Sequence, residues 1–194
     1  MPRLFRLAGS KVSALQEASF ASRESVRRVV EENLPALFEL TYLESKFHLV
    51  DLPADAPPEV REIDTLAFDT HTYAPAAIEY RDRVSPETAA QGVAILRAIP
   101  TQSQVIKYLV KRAGFNPDRI DWTKMRVLFV ARDVVPPSSI ASRSLRGGIE
   151  LWEAALHSGD VLLLDHVATF PLLAPAEGGP SQAAEAAPSE DFSL

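Results

Sequence analysis

Residues 125–131 read Met-Arg-Val-Leu-Phe-Val-Ala, a nearly unbroken apolar run. A strand with one wet face alternates polar and apolar side chains, and this run does not. It predicts a central strand covered on both faces, so the sheet that holds it needs helices on each side. The rest of the chain supplies both kinds of element. Strand-like patterns occur at 4–7, 40–50, 62–69, 76–81, 148–156 and 160–167. Helical spacing occurs at 22–38, 85–99 and 101–114, and a short helix is expected near 137–145. The mixture argues for one α/β domain, residues 1–171, with a layered, mixed sheet.

Local signals set the boundaries. Ser22 is a natural N-cap for a helix whose apolar stripe is Val26, Val30, Leu34, Leu37 and Phe38, and Pro35 should kink or end it. Ser85 and Pro86 open the next helix, Pro100 breaks it, and Gly114 ends the one after. The Pro- and Asp-rich stretch 51–59 reads as a loop. Residues 172–194 are rich in Ala, Pro, Gly and Ser, with four acids and no base. Such a segment has little to bury and is expected to be a disordered tail.

Composition narrows the function classes. Apolar residues make up 46% and charged residues 24%, enough for a core. There is no apolar run long enough to span a bilayer, and the N-terminus lacks the apolar stretch of a signal peptide. Cysteine is absent, which excludes disulfides and thiolate metal sites and fits a cytoplasmic setting. His48, His71, His157 and His166 have no zinc-ligand spacing, and no P-loop or GxGxxG sequence appears. The net charge of −6 conceals an uneven distribution. Residues 29–96 carry thirteen acids against four bases, whereas residues 97–146 carry ten bases against three acids. A polyanion responds to the local field, so nucleic acid is not excluded as a partner.

The acidic block contains the chemistry. In Ala-Ala-Ile-Glu-Tyr-Arg (76–81), Glu79 and Arg81 share one strand face. In Arg-Glu-Ile-Asp-Thr-Leu-Ala-Phe-Asp (61–69), Asp64 shares a face with Leu66 and Phe68, an uncomfortable place for an unpaired carboxylate. If the two strands form a hairpin, Asp64 and Glu79 sit side by side and need a cation or proton between them. A hard divalent ion suits such a pair, since Mg²⁺ uses one or two carboxylates, waters and substrate phosphate. Glu31 borders the core on the first helix, in line with Leu34, Pro35 and Phe38. On the residues alone, these acids read as solvated or arginine-paired charges before they read as a metal site.

The chain resembles the PD-(D/E)xK nuclease superfamily, most closely its NucS-like small nuclease domains. The resemblance spans roughly residues 3–167, through segments 30–40, 61–69, 76–81, 89–96, 120–133 and 148–153. It implies an αβββαβ core. It also implies that Glu31, Asp64 and Glu79 hold metal, that Asp64, Glu79, Arg81 and Gln91 are the catalytic positions, and that Mg²⁺ or Mn²⁺ is the cofactor. Arg81 stands where the family has lysine, and the glycine that often precedes the Arg-Ile-Asp-like segment is missing from Val-Arg-Glu-Ile-Asp. Arginine keeps the charge and can clamp a phosphate, but it cannot accept a proton. Lys46 and Lys107 are candidates to reach in instead.

Lys107, Lys111 and Arg112 lie along one helix face, with Tyr108 beside them, where they could track a phosphate backbone or simply be solvated. Trp122 and Trp152 are expected in the core more than at a base-stacking surface. The expectation is therefore a metal-dependent DNA endonuclease-like protein that hydrolyses phosphodiesters by metal-activated water. The alternative is a catalytically degenerate nuclease fold acting as a nucleic-acid-binding or protein-interaction module. A homodimer, and a protein partner for the tail, stay open.

Overall fold

The computed structural model describes residues 4–18, 20–50, 61–84, 86–135 and 148–170, with the backbone alone at 86–87 and 89–90. Ser85, the loop expected at 51–59, the helix expected near 137–145 and the tail expected at 172–194 lie outside the described residues. The chain opens with strands β1 (Phe5–Ala8), β2 (Lys11–Ala14) and β3 (Glu17–Ala18), then helices α1 (Arg23–Glu32) and α2 (Leu34–Phe38). Strands β4 (Leu40–His48), β5 (Glu62–Asp69) and β6 (Ala74–Val84) follow. Helices α3 (Pro86–Ala98) and α4 (Ser103–Arg112) lead to β7 (Arg126–Val134), β8 (Gly148–His157) and β9 (Val161–Phe170).

β1 and β2 form a separate two-stranded ribbon; the remaining seven strands form one mixed sheet. Its order is β3-β8-β7-β6-β5-β4, with β9 also pairing with β8. β5 runs antiparallel to both of its neighbours, β4 and β6, whereas β6, β7 and β8 are parallel. A parallel pair cannot be joined by a tight turn, and the connection from β6 to β7 carries α3 and α4 across the sheet.

As the apolar run required, β7 lies between β6 and β8 with both faces covered. Val127 and Phe129 join a cluster with Ile95 and Ile99 of the α3 region and Ile106 and Val110 of α4. Leu128 and Val130 point the other way, into a second cluster with Val26, Val30, Leu34 and Phe38. α3 comes close to the sheet at Gly92, where an added Cβ would lie 3.0 Å from Ile149 and Phe129.

The helix expected as one piece over 22–38 is two. Ser22 caps α1 through a reciprocal box with Ser25, and Asn33 ends it. Pro35 sits in the first turn of α2, where its missing N–H costs nothing. β2 and β3 carry no alternating apolar pattern, since β1–β3 are exposed throughout, and sequence reasoning did not find them.

Candidate active site

The site lies where β5 and β6 part. Their antiparallel ladder runs from Asp69↔Ala74 to Thr65↔Ile78 and stops there. Beyond that point the side chains bridge the strands. Glu79 Oε1 accepts from the Asp64 backbone N–H at 3.3 Å, and Asp64 Oδ2 accepts from the Tyr80 backbone N–H at 2.9 Å. On the other flank the β4–β5 register shifts earlier, between Tyr42 and Glu44, and Ser45↔Thr65 and Phe47↔Ile63 keep one register across Asp64. Lys46, between them, has φ 50°, a left-handed conformation that a lysine seldom adopts. Asp64 is thus the first β5 residue past the end of the β5–β6 ladder, where its backbone N–H meets the Glu79 carboxylate.

Arginines hold the two acids. Arg81 Nη2 pairs with Glu79 Oε2 at 2.7 Å, and Arg81 Nη1 lies 3.6 Å from Asp64 Oδ2. Arg23, from the first turn of α1, forms a second ion pair with Asp64 Oδ2. Glu79 is 1% exposed, and its pKa is pushed up to about 7. Burial is the largest cause, followed by the charge of Asp64; Arg81 pulls the other way. The Arg23 pKa is raised: burial opposes its charge, but the hydrogen bond and charge of Asp64 outweigh that cost. Burial also pushes up the Tyr80 phenol.

Glu31 does not join the pair directly. Its Oε1 accepts from Ser45 Oγ at 2.5 Å and from Thr65 Oγ1 at 2.7 Å. Thr65 follows Asp64 on β5, so the helix carboxylate is anchored to the next residue along, with Arg27 Nη1 3.8 Å away. Arg27 feels the charges of both Glu31 and Asp64. Among the described residues no three or more His, Cys, Asp or Glu side chains come together as a metal-holding group. Asp64 and Glu79 converge as a pair.

Gln91 is half-buried on α3, and no hydrogen bond ties it to either acid among the described residues. Lys46 is exposed and its charge acts on Glu24 of α1. Lys107 pairs with Asp118 at 3.5 Å, and Arg112 with Glu44 at 2.9 Å, leaving Lys111 exposed on the same helix end. Among the described residues neither Lys46 nor Lys107 forms an ion pair with Asp64 or Glu79. Trp152 packs edge-on against Phe38, with ring centroids 5.1 Å apart, and donates to Glu150. Trp122 is half-buried against the main core.

Sequence reasoning missed Arg23, Arg27 and Arg132. The signal for the first two was present: Arg23, Arg27 and Glu31 recur every four residues and so line one face of α1. Arg132, at the carboxyl end of β7, pairs with Asp82 of β6 at 2.7 Å. Only the β6–β7 register brings these two together.

An uncharacterized protein of Haemophilus influenzae (strain ATCC 51907 / DSM 11121 / KW20 / Rd) is 25% identical over 166 residues, 84% of this chain and 52% of that relative. The chain spans about half the length of this relative. No family model matches the chain, and no solved structure matches it.

Proposed function

We propose that the protein is a DNA endonuclease-like phosphodiesterase dependent on Mg²⁺ or Mn²⁺, with Asp64 and Glu79 as the metal-holding carboxylates. The observation that carries this reading is their convergence, together with Arg81, at the point where β5 and β6 separate. The element order α1, β4, β5, β6, α3, β7 supports it, since it follows the αβββαβ succession of PD-(D/E)xK nucleases.

The donor set fits the ion. Two hard oxygen donors meet in one place, and burial together with the Asp64 charge penalises the ionised form of Glu79 even with Arg81 beside it, a cost that a divalent cation would offset. When bound there, a divalent ion supplies a Lewis acid for the phosphate and lowers the pKa of water. Arg81 is permanently charged and has donors to spare, so it can hold a phosphate oxygen and offset charge that develops on it. It cannot accept a proton. Arg23 supplies a second cation on the side of Asp64 away from the core. Glu31, fixed by two hydroxyls, sets the position of Thr65 and so of Asp64 beside it.

One observation favours the rival reading, a binding module without turnover. Both acids already have guanidinium partners, which neutralise them without any metal. Cleavage of single-stranded, duplex and forked DNA with Mg²⁺ or Mn²⁺ separates the two. The nuclease reading expects metal-dependent cutting that Asp64→Ala and Glu79→Ala both abolish. DNA binding without cutting, in wild type and in Arg81→Lys alike, would establish the module instead.

A further inference from the structure

A cavity of about 240 Å³ opens at the carboxyl ends of β6 and β7 and the N-terminus of α1, lined not by Asp64 or Glu79 but by their partners Arg23 and Arg81. In open α/β sheets this end of parallel strands is where ligands characteristically sit. Arg23, Arg81 and Arg132 all line it, against the single acid Asp82. The rest of its wall combines Ser22 and Tyr80 with an apolar side that includes Phe20, Val26 and Ala154. A cationic end and an apolar wall are complementary to an anion that carries an uncharged group. Two of the arginines also touch the acids of the candidate active site, so whatever sits here lies next to the reacting phosphate.

We propose that this cavity is a nucleotide subsite: the three arginines take a phosphate, and the apolar wall takes the sugar or base attached to it. The inference rests on the proposed phosphodiesterase reading for the identity of the polymer, but the subsite itself needs no metal. Each guanidinium uses only some of its N–H donors on its present carboxylate. The N-terminal end of α1 adds a favourable field for an anion. A second cavity of about 320 Å³ shares Phe20, Asp82, Arg132 and Ala154 with the first, but Glu17 and the Arg83–Asp133 pair also line it, so the basic part of the surface is confined to the first cavity.

The test is an NMR titration of the full chain with 5′-deoxyadenosine monophosphate in EDTA, run beside inorganic phosphate and deoxyadenosine. The subsite predicts that the mononucleotide binds more tightly than either fragment and perturbs amides around residues 20–26, 80–82 and 130–132. Arg132→Ala should weaken binding about tenfold, by loss of a charge-assisted contact. Asp82→Asn, which frees Arg132, should tighten it, an outcome that a damaged fold would not give. Asp64→Ala frees Arg23 and should bind at least as well as wild type, although the proposed cleavage would be lost. Phosphate binding as tightly as the mononucleotide, perturbations elsewhere, or wild-type affinity in Arg132→Ala would overturn the subsite. None of these readings depends on catalysis, so cleavage and subsite can fail separately.

Discussion

Glu79 is the residue whose chemistry is most displaced from its ordinary range. Its carboxyl titrates near 7 in the fold against a reference of 4.5. The protonated form is therefore favoured by folding, and its contribution to stability is complete below about pH 4.5. That contribution fades as pH rises through about 7 and amounts to about 3 kcal/mol. Glu79→Gln should remove this slope, so that thermal melts between about pH 5 and about pH 8 become flatter and the variant is the more stable at the upper end. A melt series with the wild-type slope intact would show that Glu79 is not the group responsible. Arg81→Lys tests its neighbour. Lysine restores a group that can give up a proton, and under the nuclease reading cleavage should persist or rise in a single-turnover assay, while a fall would mean that the guanidinium's forked contacts matter more. At this scale the sequence was informative about Asp64, Glu79 and Arg81, because alternation along a strand places residues without any knowledge of the partner strand. It placed Arg23 on the Glu31 face of α1 but not against Asp64, a contact that depends on how α1 crosses the sheet.

The elements follow from local signals where those signals are strong. Ser22 and Ser25 form a reciprocal capping box at the start of α1, the helix that carries Arg23 and Glu31. Ser22→Ala should cost about 1 kcal/mol in denaturant unfolding. It should also loosen the Arg23–Asp64 contact in the first turn, so any effect on cleavage would accompany the loss of stability. Gly92 lets α3 lie close against β7 and β8. Gly92→Leu would drive a side chain into Ile149 and Phe129 and should destabilise by about 2 kcal/mol or more, helix propensity notwithstanding. Capping residues, prolines and apolar periodicity made these helices legible to within a few residues. The exposed ribbon of β1 and β2 was half legible, because only its first strand has an apolar pattern. The parting of β5 from β6 was not legible at all, since it is a property of two strands in register.

For the whole molecule, the least legible feature is the one that joins most of the fold. Arg126 interrupts the apolar run of β7 and is buried between Asp69 of β5 and Glu150 of β8, each 3.1 Å away. It also reaches the Phe38 carbonyl at the end of α2, at 3.4 Å. These partners are far apart in sequence, so no local pattern could have paired them. Arg126→Met would strand two buried carboxylates and should cost about 3–5 kcal/mol in chemical denaturation. A smaller loss would mean that water reaches them. The same long-range assembly brings Asp64 and Glu79 together, and the account depends on that pair being a metal site. The most direct measurement is isothermal titration of Mn²⁺ at about pH 8, where Glu79 is ionised, into wild type, Asp64→Asn and Glu79→Gln. The account predicts saturable binding by wild type, weaker at about pH 6 and lost in both variants. Wild type that binds no ion, or variants that bind as wild type does, would contradict it.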